Sequence, residues 1–192
     1  MKKLAVIAAV FCLFSLSVFA QTKTSFAGNW ELDVKKSKLP EMSRVEAISM
    51  KVTQTDKDLK IESTTKRTAR PASDVDSSNS GSGAGNRRGN WGGGGFGGDG
   101  TQTLNYSLEG KETATEAVAG IPAASATLKA NLEKDGKLNL TSTRKFNSQM
   151  GETTVTTKET WELVDGGKTL KVVRETETRR GTQTSEMYFT KK

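Results

Sequence analysis

Three charged residues in the second half of the chain, Arg144, Glu159 and Arg174, keep the same alternation as the apolar residues around them. In an extended strand every second side chain shares a face. Arg144 runs with Leu138, Leu140 and Phe146, Glu159 with Trp161 and Leu163, and Arg174 with Leu170 and Val172. A two-residue turn at Gly166-Gly167 would pair Leu163 with Leu170, Trp161 with Val172, and Glu159 with Arg174. Charges on three consecutive strands would then point the same way as the core. An isolated buried charge is prohibitively costly, so such groups must be paired or reach water. In one reading they line a cavity where Arg144 or Arg174 clamps the carboxylate or phosphate head of an amphipathic ligand. In the other, the strands pass the barrel rim here, leaving a solvated Glu159–Arg174 pair worth well under about 1 kcal/mol. Trp161 divides in the same way, between plain core and a platform for a ligand.

Other chemistry is excluded by what the chain lacks. It has no histidine, and Cys12 is its one cysteine. Without these residues there is no Ser-His-Asp or Cys-His nucleophile system and no zinc site of the usual kind. Carboxylate-pair hydrolysis and Ser-Lys chemistry stay formally open, but no motif for either is present. Binding is therefore expected rather than catalysis, with no metal and no cofactor.

Cys12 itself lies in a segment expected to be removed. Lys2 and Lys3 precede an apolar run from Leu4 to Phe19, and Val18-Phe19-Ala20 offers small residues where a signal peptidase reads. That is a secretory pattern, with residues 1–20 as signal peptide and 21–192 as the mature domain. The run is shorter than the ~18–20 residues that span a bilayer stably. A retained anchor and a lipid-modified Cys12 are the alternatives, the second disfavoured by the bulky Phe11 beside it. The mature chain is expected in the periplasm or outside the cell, free of disulfides and without a transmembrane segment. Losing Lys2 and Lys3 lowers the formal net charge from +7 to +5, a mildly basic surface.

The elements that must position these residues are strands. The mature chain is rich in Thr, Val and Lys, with period-2 alternation between frequent glycine turns and no sustained helical period. Strands are expected near 26–33, 46–53, 59–66, 103–108, 113–118, 124–132, 137–146, 153–164, 169–178 and 183–190, with one helical turn between Val34 and Pro40. Lys134-Asp135-Gly136 suits a three-residue hairpin loop. The last strand has two registers. A loop of three residues at Arg179-Arg180-Gly181 turns Glu186 and Tyr188 inward, and one of two residues turns Met187 and Phe189 inward. About eight to ten antiparallel strands in sequence order close most economically into an all-β, up-and-down barrel, because closure removes the edges.

Residues 72–100 interrupt this pattern. The stretch is dominated by Gly, Ser and Asn and has too few apolar residues to offset the entropy of ordering it, so a flexible loop is expected. Arg87, Arg88, Trp91 and Phe96 among its glycines have the look of a nucleic-acid-binding segment. Two adjacent arginines on an exported chain are a poor match, and no nucleic acid partner is expected. A third reading folds Trp91 and Phe96 over the barrel mouth.

The segment Phe26-Ala27-Gly28-Asn29-Trp30-Glu31-Leu32-Asp33 places a Gly-x-Trp on the first strand. With a barrel following, it resembles the calycin superfamily, and most of all the small lipocalin-like exported proteins of bacteria. The resemblance implies structural roles for Gly28 and Trp30, with Trp30 closing the narrow end of the barrel against Arg174 or Arg179. Fatty-acid-binding proteins, in the same superfamily, hold a ligand's head with inward arginines and a tyrosine. Tyr106 or Tyr188 would be that tyrosine here.

The ligand-binding set read from the sequence is thus Arg144, Glu159, Arg174, Tyr106 and Trp161. The expected function is an exported protein that binds an apolar or amphipathic, lipid-like molecule in its barrel. The alternative is an envelope or extracellular interaction protein without a pocket, using its basic, Thr-rich exterior on anionic polysaccharide or a cell surface. Small inward residues, Ala126, Ala130, Ser142 and Thr157, leave room for a cavity or equally compensate for Trp30, Trp161 and Phe146.

Overall fold

A computed structural model of the chain describes residues 23–40, 43–68, 100–115, 126–148, 151–178 and 181–192. The expected signal peptide and, apart from Gly100, the glycine-rich insertion lie outside these residues. So do Arg179 and the end of the strand expected at 113–118, and the side chain of Phe146 is likewise not described.

Ten strands follow in order: β1 (Gly28–Leu32), β2 (Val45–Gln54), β3 (Asp58–Arg67), β4 (Gly100–Ser107), β5 (Thr113–Thr115), β6 (Ala126–Leu132), β7 (Leu138–Ser148), β8 (Gly151–Val164), β9 (Thr169–Thr178) and β10 (Gly181–Lys191). They form one sheet in the order β4-β3-β2-β1-β10-β9-β8-β7-β6-β5, each strand antiparallel to its neighbours. β1 pairs with β10, joining the first strand to the last. The remaining edges, β4 and β5, are consecutive in sequence and meet through the Thr113 hydroxyl, which donates to the Asn105 carbonyl at 2.6 Å. The chain is therefore an all-β, nearly closed up-and-down barrel, as the alternation implied.

Alternation decides the core. Ile48, Met50 and Val52 of β2, Leu59 and Ile61 of β3, and Leu128 and Ala130 of β6 are buried, while their sequence neighbours face outward. The end of the barrel carrying the β2–β3 and β6–β7 turns is closed by the segment before β1. Phe26 donates its N–H to Gln54 Oε1 at 2.8 Å, and Gln54 Nε2 donates to the Thr24 carbonyl at 2.9 Å. Thr24 then rests against the β6–β7 loop, where a Cβ on Gly136 would come within 2.5 Å of its hydroxyl. Gly136 also has φ +87°, a conformation glycine adopts without strain, and closes the three-residue loop expected there. Phe26 points inward and meets the Trp161 ring edge-on at 6.1 Å between centroids.

The one helical turn expected after Val34 is present over residues 34–36, closed by the Ser37 N–H on the Asp33 carbonyl, and Lys38 then bridges to Glu186 of β10. One local expectation is corrected, and the register left open for the last strand is decided. The β8–β9 connection is longer than two residues: Asp165–Gly167 make a short 3-10 turn, although Leu163 still pairs with Leu170. Thr178 pairs with Gly181, which selects the two-residue register of the last strand. Met187 and Phe189 are buried and Tyr188 points outward, so Tyr188 is not an inward donor.

Candidate functional site

β7, β8 and β9 carry the inward charges in consecutive register. Trp161 lies opposite Leu138 on one side and Val172 on the other, and Glu159 lies opposite Leu140 and Arg174. One pleat further along, Thr157 lies opposite Ser142 and Thr176, and Val155 lies opposite Arg144. The interior therefore changes character along the barrel axis. Phe26, Trp161, Leu138, Leu170 and Phe189 fill the closed end, and polar side chains begin at Glu159.

Glu159 and Arg174 are not a solvated rim pair, because their side chains are only 9% and 12% exposed. Glu159 Oε1 accepts from Arg174 Nε at 2.8 Å and lies 2.7 Å from Arg174 Nη2. Its other oxygen, Oε2, accepts the Trp161 indole N–H at 2.8 Å. Both carboxylate oxygens are thus engaged by fixed donors, an arrangement that holds the Arg174 fork and the Trp161 ring in place.

Tyr106 reaches the same cluster from β4, where it is buried. Burial above all, and the nearby Glu159 charge next, push its phenol well above the usual tyrosine range, while Arg174 and Arg144 pull the other way. Arg144 is 9% exposed. Desolvation lowers its pKa, the Tyr106 interaction raises it, and the like charge of Arg174 lowers it further. The structure thus brings together all five residues expected at a ligand site: Arg144, Glu159, Arg174, Tyr106 and Trp161. Hydrogen bonds in the cluster join Trp161, Glu159 and Arg174, and charge interactions extend it to Tyr106 and Arg144.

Of the two arginines expected against Trp30, Arg174 binds Glu159 instead and Arg179 lies outside the described residues. Among the described residues a lysine takes that place, with Lys191 Nζ over the Trp30 ring, 5.3 Å from its centroid. Trp30 Nε1 donates to the Phe26 carbonyl at 2.9 Å, tying the closed end to β1. Gly28 is part of this contact: at φ +147°, a Cβ there would stand 2.7 Å from Lys191 Cε. The spacing of Gly28 and Trp30 lets a lysine stem lie across the indole.

Several inward polar residues went unremarked in the sequence. Ser63 and Thr65 of β3 are buried, and they continue the alternation of Leu59 and Ile61. Period-2 counting would have found them had polar residues been carried along with apolar ones. Among the described residues no cluster of acidic side chains could hold a metal ion, and no helix is long and apolar enough to cross a membrane.

In overall shape the chain is similar to the zebrafish ileal bile acid-binding protein, crystallised with cholic acid, at 16% identity and a TM-score of 0.47 over 87% of this chain and 98% of that one. At that distance the likeness carries no argument, and the fold rests on the strand order and register above. No family model and no curated protein matches the sequence.

Proposed function

We propose that this chain is an exported, lipocalin-like barrel that binds a small amphipathic molecule, with an acidic head held at the Arg144–Tyr106–Arg174 cluster. The observation that carries the reading is the burial of two guanidinium groups and a carboxylate inside a barrel whose other buried side chains are uncharged. Burying such groups can cost more than their mutual attraction returns, and apolar residues of similar size often stabilise a fold as well or better. Retaining them is economical if they recognise something. An anionic head beside Arg144 would offset part of its desolvation, and the ligand's apolar body would gain about 25 cal/mol per Å2 removed from water. Catalysis has no support in the cluster, because both oxygens of its carboxylate are already held.

Native mass spectrometry of the protein purified from its own host tests the reading. A co-purifying lipid-like mass that is lost in Arg144→Met supports it, and a bare protein with a filled interior rejects it. Export is tested by N-terminal sequencing of the same material. Mature protein beginning at Gln21 is expected, and a retained Met1 rejects it.

The pocket-less alternative, binding to anionic polysaccharide or a cell surface, is favoured by the basic balance of the chain, with a formal net charge of +7. Retention on immobilised anionic polysaccharide at physiological salt, by a protein that carries no small molecule, would favour that reading.

A further inference from the structure

The polar residues inside the barrel include a row of hydroxyls as well as the charged cluster. Ser142, Thr157 and Thr176 lie opposite one another on β7, β8 and β9, one pleat beyond Leu140, Glu159 and Arg174. The hydroxyls of Thr157 and Thr176 approach each other at 3.5 Å. Ser142 is 4% exposed, and its Oγ finds no hydrogen-bond partner among the described residues. A buried hydroxyl left unsatisfied costs free energy that either apolar replacement or a partner would recover. Across the strand from Ser142 is Leu128, and β2 presents Ile48, Met50 and Val52, so the interior has a polar strip on one wall and apolar side chains on others.

We infer that the ligand carries a hydroxyl group a few carbon atoms from its acidic head, and that Ser142 selects for it. Arg144 and Ser142 are two residues apart on one strand face, so their Cα atoms stand about 7 Å apart. A carboxylate taken by Arg144 thus places the carbons next to it within reach of Ser142 Oγ. A plain alkyl chain in the same position leaves that hydroxyl unsatisfied. Discrimination of this kind is effective because the wrong ligand strands a buried polar group, not merely because the right one adds a bond.

The inference rests on the ligand-binding reading above, and a matched pair of probes separates the two. Sodium myristate and sodium 3-hydroxymyristate, below their critical micelle concentrations, are titrated calorimetrically into wild type and Ser142→Ala. Wild type is expected to bind the hydroxylated probe about five- to tenfold more tightly, the range of one buried neutral hydrogen bond. Ser142→Ala is expected to bind both equally. Equal affinities in wild type, or a preference that survives Ser142→Ala, overturn the role of Ser142 and leave the binding reading standing. Binding of neither probe overturns both. Ser142→Thr keeps the hydroxyl and is expected to keep the preference, which guards against reading a folding defect of the alanine variant as lost selectivity.

Discussion

Glu159 and Arg174 meet across β8 and β9 with 2.8 Å between Arg174 Nε and Glu159 Oε1, while the second oxygen of the same carboxylate takes the Trp161 indole N–H. The pair lies where the interior passes from apolar to polar. Removing the carboxylate alone leaves a mostly buried guanidinium without its counter-charge. Glu159→Leu is expected to cost about 3–5 kcal/mol in urea denaturation. Adding Arg174→Met should recover most of that loss, since an apolar pair of similar volume avoids the desolvation of both ions. A double variant as unstable as Glu159→Leu would show that the cost is one of packing.

Tyr106 supplies a pH dependence. Folded Tyr106 keeps its proton to higher pH than the unfolded chain, where the phenol titrates near 10. The folded state therefore binds more protons above that point. Its contribution to stability is complete below about pH 10 and is lost as pH rises further. The urea midpoint of wild type should fall more steeply between pH 9 and 11 than that of Tyr106→Phe. Parallel slopes would contradict the buried, protonated phenol.

Gly28 and Lys191 test the packing around Trp30. Gly28→Ala places a side chain at φ +147° and against Lys191 Cε, and is expected to destabilise by about 1–3 kcal/mol. Adding Lys191→Ala removes the clash but not the backbone strain, so only part of the loss should return. Full recovery would assign the whole effect to the lysine stem.

Phe26 seals the closed end against Trp161. Phe26→Ala is expected to cost about 3–5 kcal/mol and to shift tryptophan emission to longer wavelength as water reaches the indole. Unchanged emission would mean that the end stays dry without the ring.

Much of this was legible from alternation alone. Period 2 is a local property, and it put Ala126, Ala130, Ser142, Thr157 and Trp161 on the inner face before any strand had a partner. It also put Arg144, Glu159 and Arg174 there, and the pairings of Leu163, Trp161 and Glu159 followed because even a mistaken turn length of the right parity keeps register. The absence of histidine and the position of the lone cysteine likewise belong to the sequence and bear directly on the chemistry available.

The closed barrel decided the rest. Whether an inward charge is buried or solvated depends on depth along the axis, which tilt and stagger set and no single strand encodes; hence Glu159–Arg174 is a buried pair and not a rim pair. The register of β10 depended on one residue of loop, and with it whether Tyr188 or Phe189 faced inward. The cation over Trp30 is Lys191 because β1 pairs with β10, a contact between residues more than 160 positions apart. Alternation along a chain is short-ranged physics, while partners across the sheet are chosen only when strands distant in sequence meet.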